Sequence, residues 1–346
     1  MKKINVQPII NAIVATVKSH EIEDMPGAYR RWLWQDEGGT RELGINPYGC
    51  ADAMNLLYTV GEFYAPVEVR ARRIAALKSL QDSRTGMFFE STHHTIHTTA
   101  HCTGALELFD ERPEYPLYGL HKYFDKGELY ALLDSLRWRE DIWPESHKGA
   151  GVYAALVNSG EITPEFSDNY FSWLDENCDE VTGFWRRGVA DKAPFSRERY
   201  VDGATSLFAV MAGGFHFMFN HEHAKRPLLY PERIIDSEIA LYERGGLPEY
   251  FMKSCHFIEI DFIYCMTRAM RQTSYRRDEC TKILLEVAKE LTDFLLGVDY
   301  GTDDAFNDLH MLFGTACALA ELQSALPGVI ISDKPMRLVL DRRPFI

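Results

Sequence analysis

The densest concentration of chemically active side chains is a run of imidazoles, His93-His94-Thr95-Ile96-His97-Thr98-Thr99-Ala100-His101. Wound as a helix, it puts His94, His97 and His101 at i, i+3 and i+7, on one face. Neutral imidazoles so placed are ligands for Zn²⁺ or a similar ion. The spacing shows no partners that would orient them, so the reading adopted is a polar cavity lining with no metal assigned. A second pattern is spread along the chain. Asp52, His97, His147, Asp202, Asp261 and His310 each fall near the start of a stretch that reads as a buried helix. Two carboxylates at suitable separation hydrolyse glycosides, as acid and base or nucleophile. A carboxylate with an imidazole serves proton abstraction, as in a lyase or an isomerase. These six are the expected catalytic residues. A competing expectation for Asp52, Asp202 and Asp261 is that each caps its own helix, accepting from free backbone N–H groups.

Around them lie candidate substrate contacts. Tyr48, Trp143, Trp185 and Tyr200 stand in the segments leading to the buried helices and offer faces on which a sugar ring stacks. His94, His101 and Arg187 add polar contacts. Arg186, Arg187, Arg197 and Arg199 cluster near Trp185, where guanidinium forks suit a carboxylate, sulfate or phosphate as well as the chain's own acids.

Positioning these groups requires helices, and strand signals are scarce. Six pairs of helical segments can be laid side by side, each an outer helix with a charged face followed by an inner one crowded with Ala, Gly, Thr and Cys. The outer members are expected at 5–20, from 67, at 118–138, 164–177, 231–243 and 277–296. The inner members are expected from Tyr48, His97, His147, about Asp202, about Asp261 and from His310. The fold class expected is all-α, a single α/α toroid (barrel) of about six hairpins over residues 1–328, with 329–346 a C-terminal tail packed on it.

The connecting loops carry their own repeat. Asp82-Ser83-Arg84-Thr85-Gly86-Met87-Phe88 and Asp179-Glu180-Val181-Thr182-Gly183-Phe184 share D-x-x-T-G followed closely by an aromatic. Gly245-Gly246 and Asp299-Tyr300-Gly301 stand as worn copies. Gly suits a left-handed turn, and Asp accepts from the turning backbone. This loop, preceded by Gln81 and followed by His97-Thr98 and Cys102-Thr103-Gly104-Ala105-Leu106, resembles the repeat of the terpenoid cyclase and protein prenyltransferase superfamily. The resemblance implies an α/α toroid and, by family, isoprenoid chemistry. It is sharpest over 66–110, fair over 164–215 and only periodic elsewhere. The family's catalytic motifs are displaced. The nearest run to the cyclases' D-x-D-D is Glu259-Ile260-Asp261-Phe262. The one D-x-C, Asp278-Glu279-Cys280, opens a charged outer helix, and Asp303-Asp304-Ala305-Phe306-Asn307-Asp308 reads as a solvated loop.

A net charge of −14 argues against nucleic acid as a partner, since phosphates demand a basic surface. No apolar run approaches the length of a membrane span, so no membrane insertion is expected. Seven irregularly spaced cysteines read as reduced, buried thiols of a cytoplasmic protein. There is no P-loop, G-x-G-x-x-G, G-x-S-x-G or H-E-x-x-H. The function expected is an enzyme binding a polar cyclic, carbohydrate-like substrate, a small molecule or glycan, with Asp/His acid–base chemistry. The alternatives are an isoprenoid-processing enzyme and a non-catalytic binding or assembly protein. An apolar, aromatic-walled cavity would mark the first alternative and a plugged centre the second.

Overall fold

In chain order the inner helices are α2 (Pro47–Thr59), α4 (Thr95–Glu107), α6 (Ile142–Ser159), α8 (Leu207–His223), α10 (Ile258–Gln272) and α12 (Leu309–Ala325). Between them run α1 (Gln7–His20), α3 (Val67–Lys78), α5 (Lys126–Ser135), α7 (Pro164–Asn177), α9 (Pro231–Glu243) and α11 (Arg277–Gly297). The structure, a computed structural model, describes residues 3–346 and is mainly helical. Several starts are fixed by side chains that take up free N–H groups. Asn46 accepts from Tyr48 and Gly49 ahead of α2, Ser206 from Ala209 ahead of α8, and Asp308 from His310 ahead of α12. Thr163 with Pro164 opens α7, and Gly160, at φ 75°, closes α6.

The two helix sets differ in burial. α3 buries only Leu77, and α7 and α9 bury one stripe each. By contrast, α2 is buried from Pro47 through Leu57 and α10 from Ile258 through Met270. The inner helices pack in succession, α2 on α4, α4 on α6, α6 on α8, α8 on α10 and α10 on α12; α12 then packs on α2. Small residues leave room for neighbouring groups. A Cβ on Gly104 of α4 would stand 2.2 Å from the Arg343 guanidinium.

The D-x-x-T-G loops behave as their sequence suggests. Asp82 Oδ1 accepts from the backbone of Arg84 and Thr85 and from the Thr85 hydroxyl, and Asp179 does the same for Val181 and Thr182. Gly86 and Gly183 are left-handed, at φ 72° and 82°. A Cβ on Gly86 would also strike the Pro116 carbonyl at 1.9 Å, so both turn and packing demand glycine there. Phe88 and Phe184 are fully buried behind them.

Two expectations need correction. The third outer helix is not continuous over 118–138: residues Tyr118–Phe124 form a 3-10 turn, and Asp125 then caps α5. Asp202 does not lie on an inner helix. It sits at φ 50° in the turn between two short antiparallel strands, Tyr200–Val201 and Ala204–Thr205, before α8 begins at Leu207. The local Tyr-Val-Asp-Gly sequence suits that tight turn better than a helix start.

Residues 329–346 cross the end of the inner helices. Ile330–Ile331 pairs in parallel with Ile4–Asn5. Asp341 then meets Arg268 and Arg271, Arg342 meets Glu107 and Asp110, and Arg343 donates to Asn55 Oδ1 at 2.6 Å. Phe345 and Ile346 end buried among the inner helices. The seven cysteines are buried and free. Among the described residues no helix is long and apolar enough to cross a membrane.

Candidate functional site

A cavity of about 770 Å³ opens among α4, α6, α8 and α12 and the segment leading into α10. His93, His94, His97, His147, His216, His256 and His310 line it, with Trp143, Glu145, Lys148, Arg199, Tyr250 and Ile346. The imidazoles gather because α4, α6, α8 and α12 each send one, His97, His147, His216 and His310, toward the same region, and the segments before α4 and α10 add His93, His94 and His256. His97 and His147 have ring centroids 4.1 Å apart, His147 and His216 4.4 Å, and His93 and His310 5.0 Å.

Two of these rings are anchored by carboxylates. His310 Nδ1 donates to Asp52 Oδ2 at 3.1 Å, and His101 Nε2 donates to Asp52 Oδ1 at 2.6 Å. His93 Nδ1 donates to Glu90 Oε1 at 3.0 Å, and Thr92 also donates to Glu90. In a neutral imidazole a proton on Nδ1 leaves the lone pair on Nε2. His93 and His310 are thus set in the same tautomer, each with its Nε2 lone pair free. His216 is fixed likewise: the Ser146 hydroxyl donates to the Trp143 carbonyl at 2.6 Å and so accepts from His216 Nδ1 at 2.8 Å. The Tyr48 hydroxyl meets His97 Nδ1, and the Tyr48 ring stacks between those of His93 and His101.

Burial decides most charge states here, because it disfavours whichever form is charged. It holds His310 and His216 down to about 3 and His256, beside Arg199, down to about 4. It likewise keeps His93, His97 and His147 below the ordinary imidazole value. The two carboxylates go the other way. Burial alone would raise Glu90, but His93 and Thr92 outweigh it and bring the group to about 2. Burial would also raise Asp52, and His101 and His310 outweigh it, so its carboxyl stays well below the usual range.

The structure brings together His97, His147 and His310 on the cavity wall, with Asp52 directly behind His310. Asp261 is fully buried, lines no part of the cavity, and has no partner for either oxygen. Asp202 is exposed in its turn. None of the three aspartates is a helix cap: Asn46, Ser206 and Phe257 hold those positions. Of the expected substrate contacts, Trp143 and His94 reach the cavity. Tyr48 and His101 lie beneath it, fully buried. Trp185 is buried elsewhere with its indole N–H on the Leu174 carbonyl, Arg187 donates to the Cys178 carbonyl, and Tyr200 is exposed.

His94 caps α4 through Nδ1, so the shared face belongs to His93, His97 and His101. A spacing of four residues twice over would have signalled that face. Glu90, three residues before His93, and His216, following Gly213-Gly214, were missed; neither stands in a pattern that marks it. Compared with known protein families, curated proteins and solved structures, the chain matches none.

Proposed function

We propose that this protein is an enzyme that transfers protons on a polar, ring-shaped small molecule carrying a negative charge, on a scaffold that is a single α/α toroid of six helical hairpins. The scaffold reading is supported by the inner helices packing in succession from α2 to α12 and back, and by the loop repeat. The observation that carries the chemistry is the pair of carboxylate-anchored imidazoles, Glu90–His93 and Asp52–His310, facing one cavity with rings 5.0 Å apart.

In this reading one Nε2 lone pair removes a proton from a carbon next to a carboxylate or carbonyl. The imidazolium so formed is stabilised by its own carboxylate. It then returns the proton to a neighbouring carbon, an isomerisation, or to a departing hydroxyl, an elimination. The cavity walls favour an anionic ring. Among the described residues its charged groups are Lys148, Arg199 and Glu145; Lys148 and Glu145 pair at 2.7 Å, which leaves Arg199 as the cation for a substrate to meet. Trp143, 5.6 Å below Arg199, and Tyr250 supply faces for a ring to stack on. A carboxylate pair of the glycosidase kind has no support, since among the described residues Glu145 is the only acid on the wall. The imidazoles of the wall, with Glu145, Lys148 and Arg199 among them, count against an isoprenoid substrate, and an open cavity of about 770 Å³ counts against a purely structural role.

The test is proton exchange in D₂O. The protein is incubated with a panel of sugar acids, hydroxy acids and sugar phosphates, and loss of carbon-bound proton signals is followed by NMR. Exchange into at least one anionic ring compound is expected, with loss in His93→Gln and His310→Gln. Exchange that persists in both variants would overturn the reading.

A further inference from the structure

We propose that Asp52, His101 and His310 form a binding site for a divalent first-row transition metal ion of the Zn²⁺ or Fe²⁺ class. The three come from α2, α4 and α12, which meet where the succession of inner helices closes on itself. All are buried, and one donor atom of each lies within 4.8 Å of the other two. Four ligands placed tetrahedrally at about 2.1 Å from an ion stand roughly 3.4 Å apart. The Asp52 oxygens lie 2.6 Å from His101 Nε2 and 3.1 Å from His310 Nδ1, so little movement admits an ion. Two imidazoles with one carboxylate make the donor set that holds catalytic Zn²⁺ or non-haem Fe²⁺ while leaving positions open.

Charge supplies an independent reason. Asp52 is fully buried, and the groups it bonds are imidazoles. The nearby guanidiniums are engaged elsewhere. Arg31 holds both oxygens of Asp308 at 2.8 and 2.9 Å, and Arg343 donates to Asn55 and to the Phe345 carbonyl. A buried carboxylate is costly unless it is paired and hydrogen-bonded, and a divalent ion would add charge pairing to the contacts Asp52 already makes. His101 Nδ1 has no partner either, so hydrogen bonding within the protein does not complete this cluster.

The ion would lie on the Nδ1 side of His310, behind the ring that lines the cavity, in the buried layer that holds Asp52 and His101. The site shares Asp52 and His310 with the acid–base reading. Once loaded, both become ligands, and His93 on Glu90 remains the free base.

The experiment uses the full chain, stripped with chelator and re-equilibrated with Zn²⁺ or Co²⁺. Metal per chain is measured by mass spectrometry after removal of excess ion, and the visible spectrum of the Co²⁺ form is recorded. One equivalent, with the intense d–d bands of a four- or five-coordinate ion, is expected. Asp52→Asn and His310→Gln should weaken retention at least about 100-fold, since each removes a direct ligand. His93→Gln and Glu238→Gln should retain the full equivalent. The Co²⁺ spectrum of the unaltered chain decides the matter even if the ligand variants fail to fold. No retained ion, six-coordinate Co²⁺ only, or full retention in folded Asp52→Asn overturns the proposal. Proton exchange that is abolished by His93→Gln in a chain that binds no metal would leave the acid–base reading standing alone.

Discussion

Two regions of this molecule bury ionisable groups in quantity, and they resolve the problem in opposite ways. Around α2, α4 and α12, carboxylates are matched with imidazoles: Asp52 has His101 and His310, and Glu90 has His93. Across the molecule, α9 and α10 bury Glu238, Asp261 and Glu259 with no basic partner. There burial pushes Glu259 up to about 8 and holds Glu238 and Asp261 well above the carboxylate range, which favours their protonated forms. The matched region opens on the cavity, whereas the carboxyl groups of the unmatched one do not line it. Burial neutralises an isolated group; only partnership keeps charge inside, and here partnership coincides with access for a ligand.

The sharpest way to break this contrast is to remove one carboxylate from each region. Asp52→Asn should lower proton exchange by about 10³-fold or more, as loss of an imidazole-orienting carboxylate does elsewhere. Asp261→Asn should leave the exchange rate within a few-fold. Equal losses in the two variants would end the distinction.

Alkaline pH separates the regions next. Glu259 is neutral in the folded chain below about 8 and ionises near 4.5 when unfolded. Its burial therefore costs nothing below 4.5 and a rising amount from there to about 8, so stability falls as pH rises through that window. Glu259→Gln should remove this loss, gaining on the order of a few kcal/mol at pH 9 relative to pH 5. Denaturant midpoints at the two pH values measure it.

Acid acts on the imidazoles with the opposite sign. His216 and His256 stay neutral when folded down to about 3 and about 4, yet take protons near 6.5 when unfolded. Their contribution is intact above 6.5 and is lost as pH falls, by up to about 1.4 kcal/mol per pH unit for each group. His216→Gln should flatten the melting-temperature profile between pH 6 and 4; an unchanged slope would place the acid sensitivity elsewhere. The smallest effect belongs to the rim. Arg199 has half its side chain exposed, so Arg199→Lys should raise KM for an anionic substrate about 10-fold and leave kcat nearly unchanged.

How far the sequence discloses all this depends on the range of the interactions. Helical periodicity and turn chemistry are local, so α7 and α9 appear where Pro164–Asn177 and 231–243 suggest, and the Asp82 and Asp179 loops fold as their shared motif implies. Asp125 breaks the third outer helix by capping a new one, a choice that the apolar spacing conceals. The site is only half legible. His97, His147 and His310 could be named because each stands near the start of an inner helix. Glu90 could not, because its meaning comes from His93 folding back beside it in an irregular loop. Asp52 and Asp261 look alike in sequence, and only the neighbours brought from distant helices tell an ionised carboxylate from a protonated one.

The packing of α12 against α2 has a consequence for how the molecule is made. Those helices lie some 250 residues apart, and Asp52 meets His310 across the same seam. Contacts of such separation form slowly, because a long loop must close before any of them contributes. On the ribosome α2 waits with one flank bare until α12 emerges, at about 5–20 residues per second. The nascent chain thus spends tens of seconds with an adhesive surface of small apolar residues on show, and the half-built site is the last part of the protein to exist.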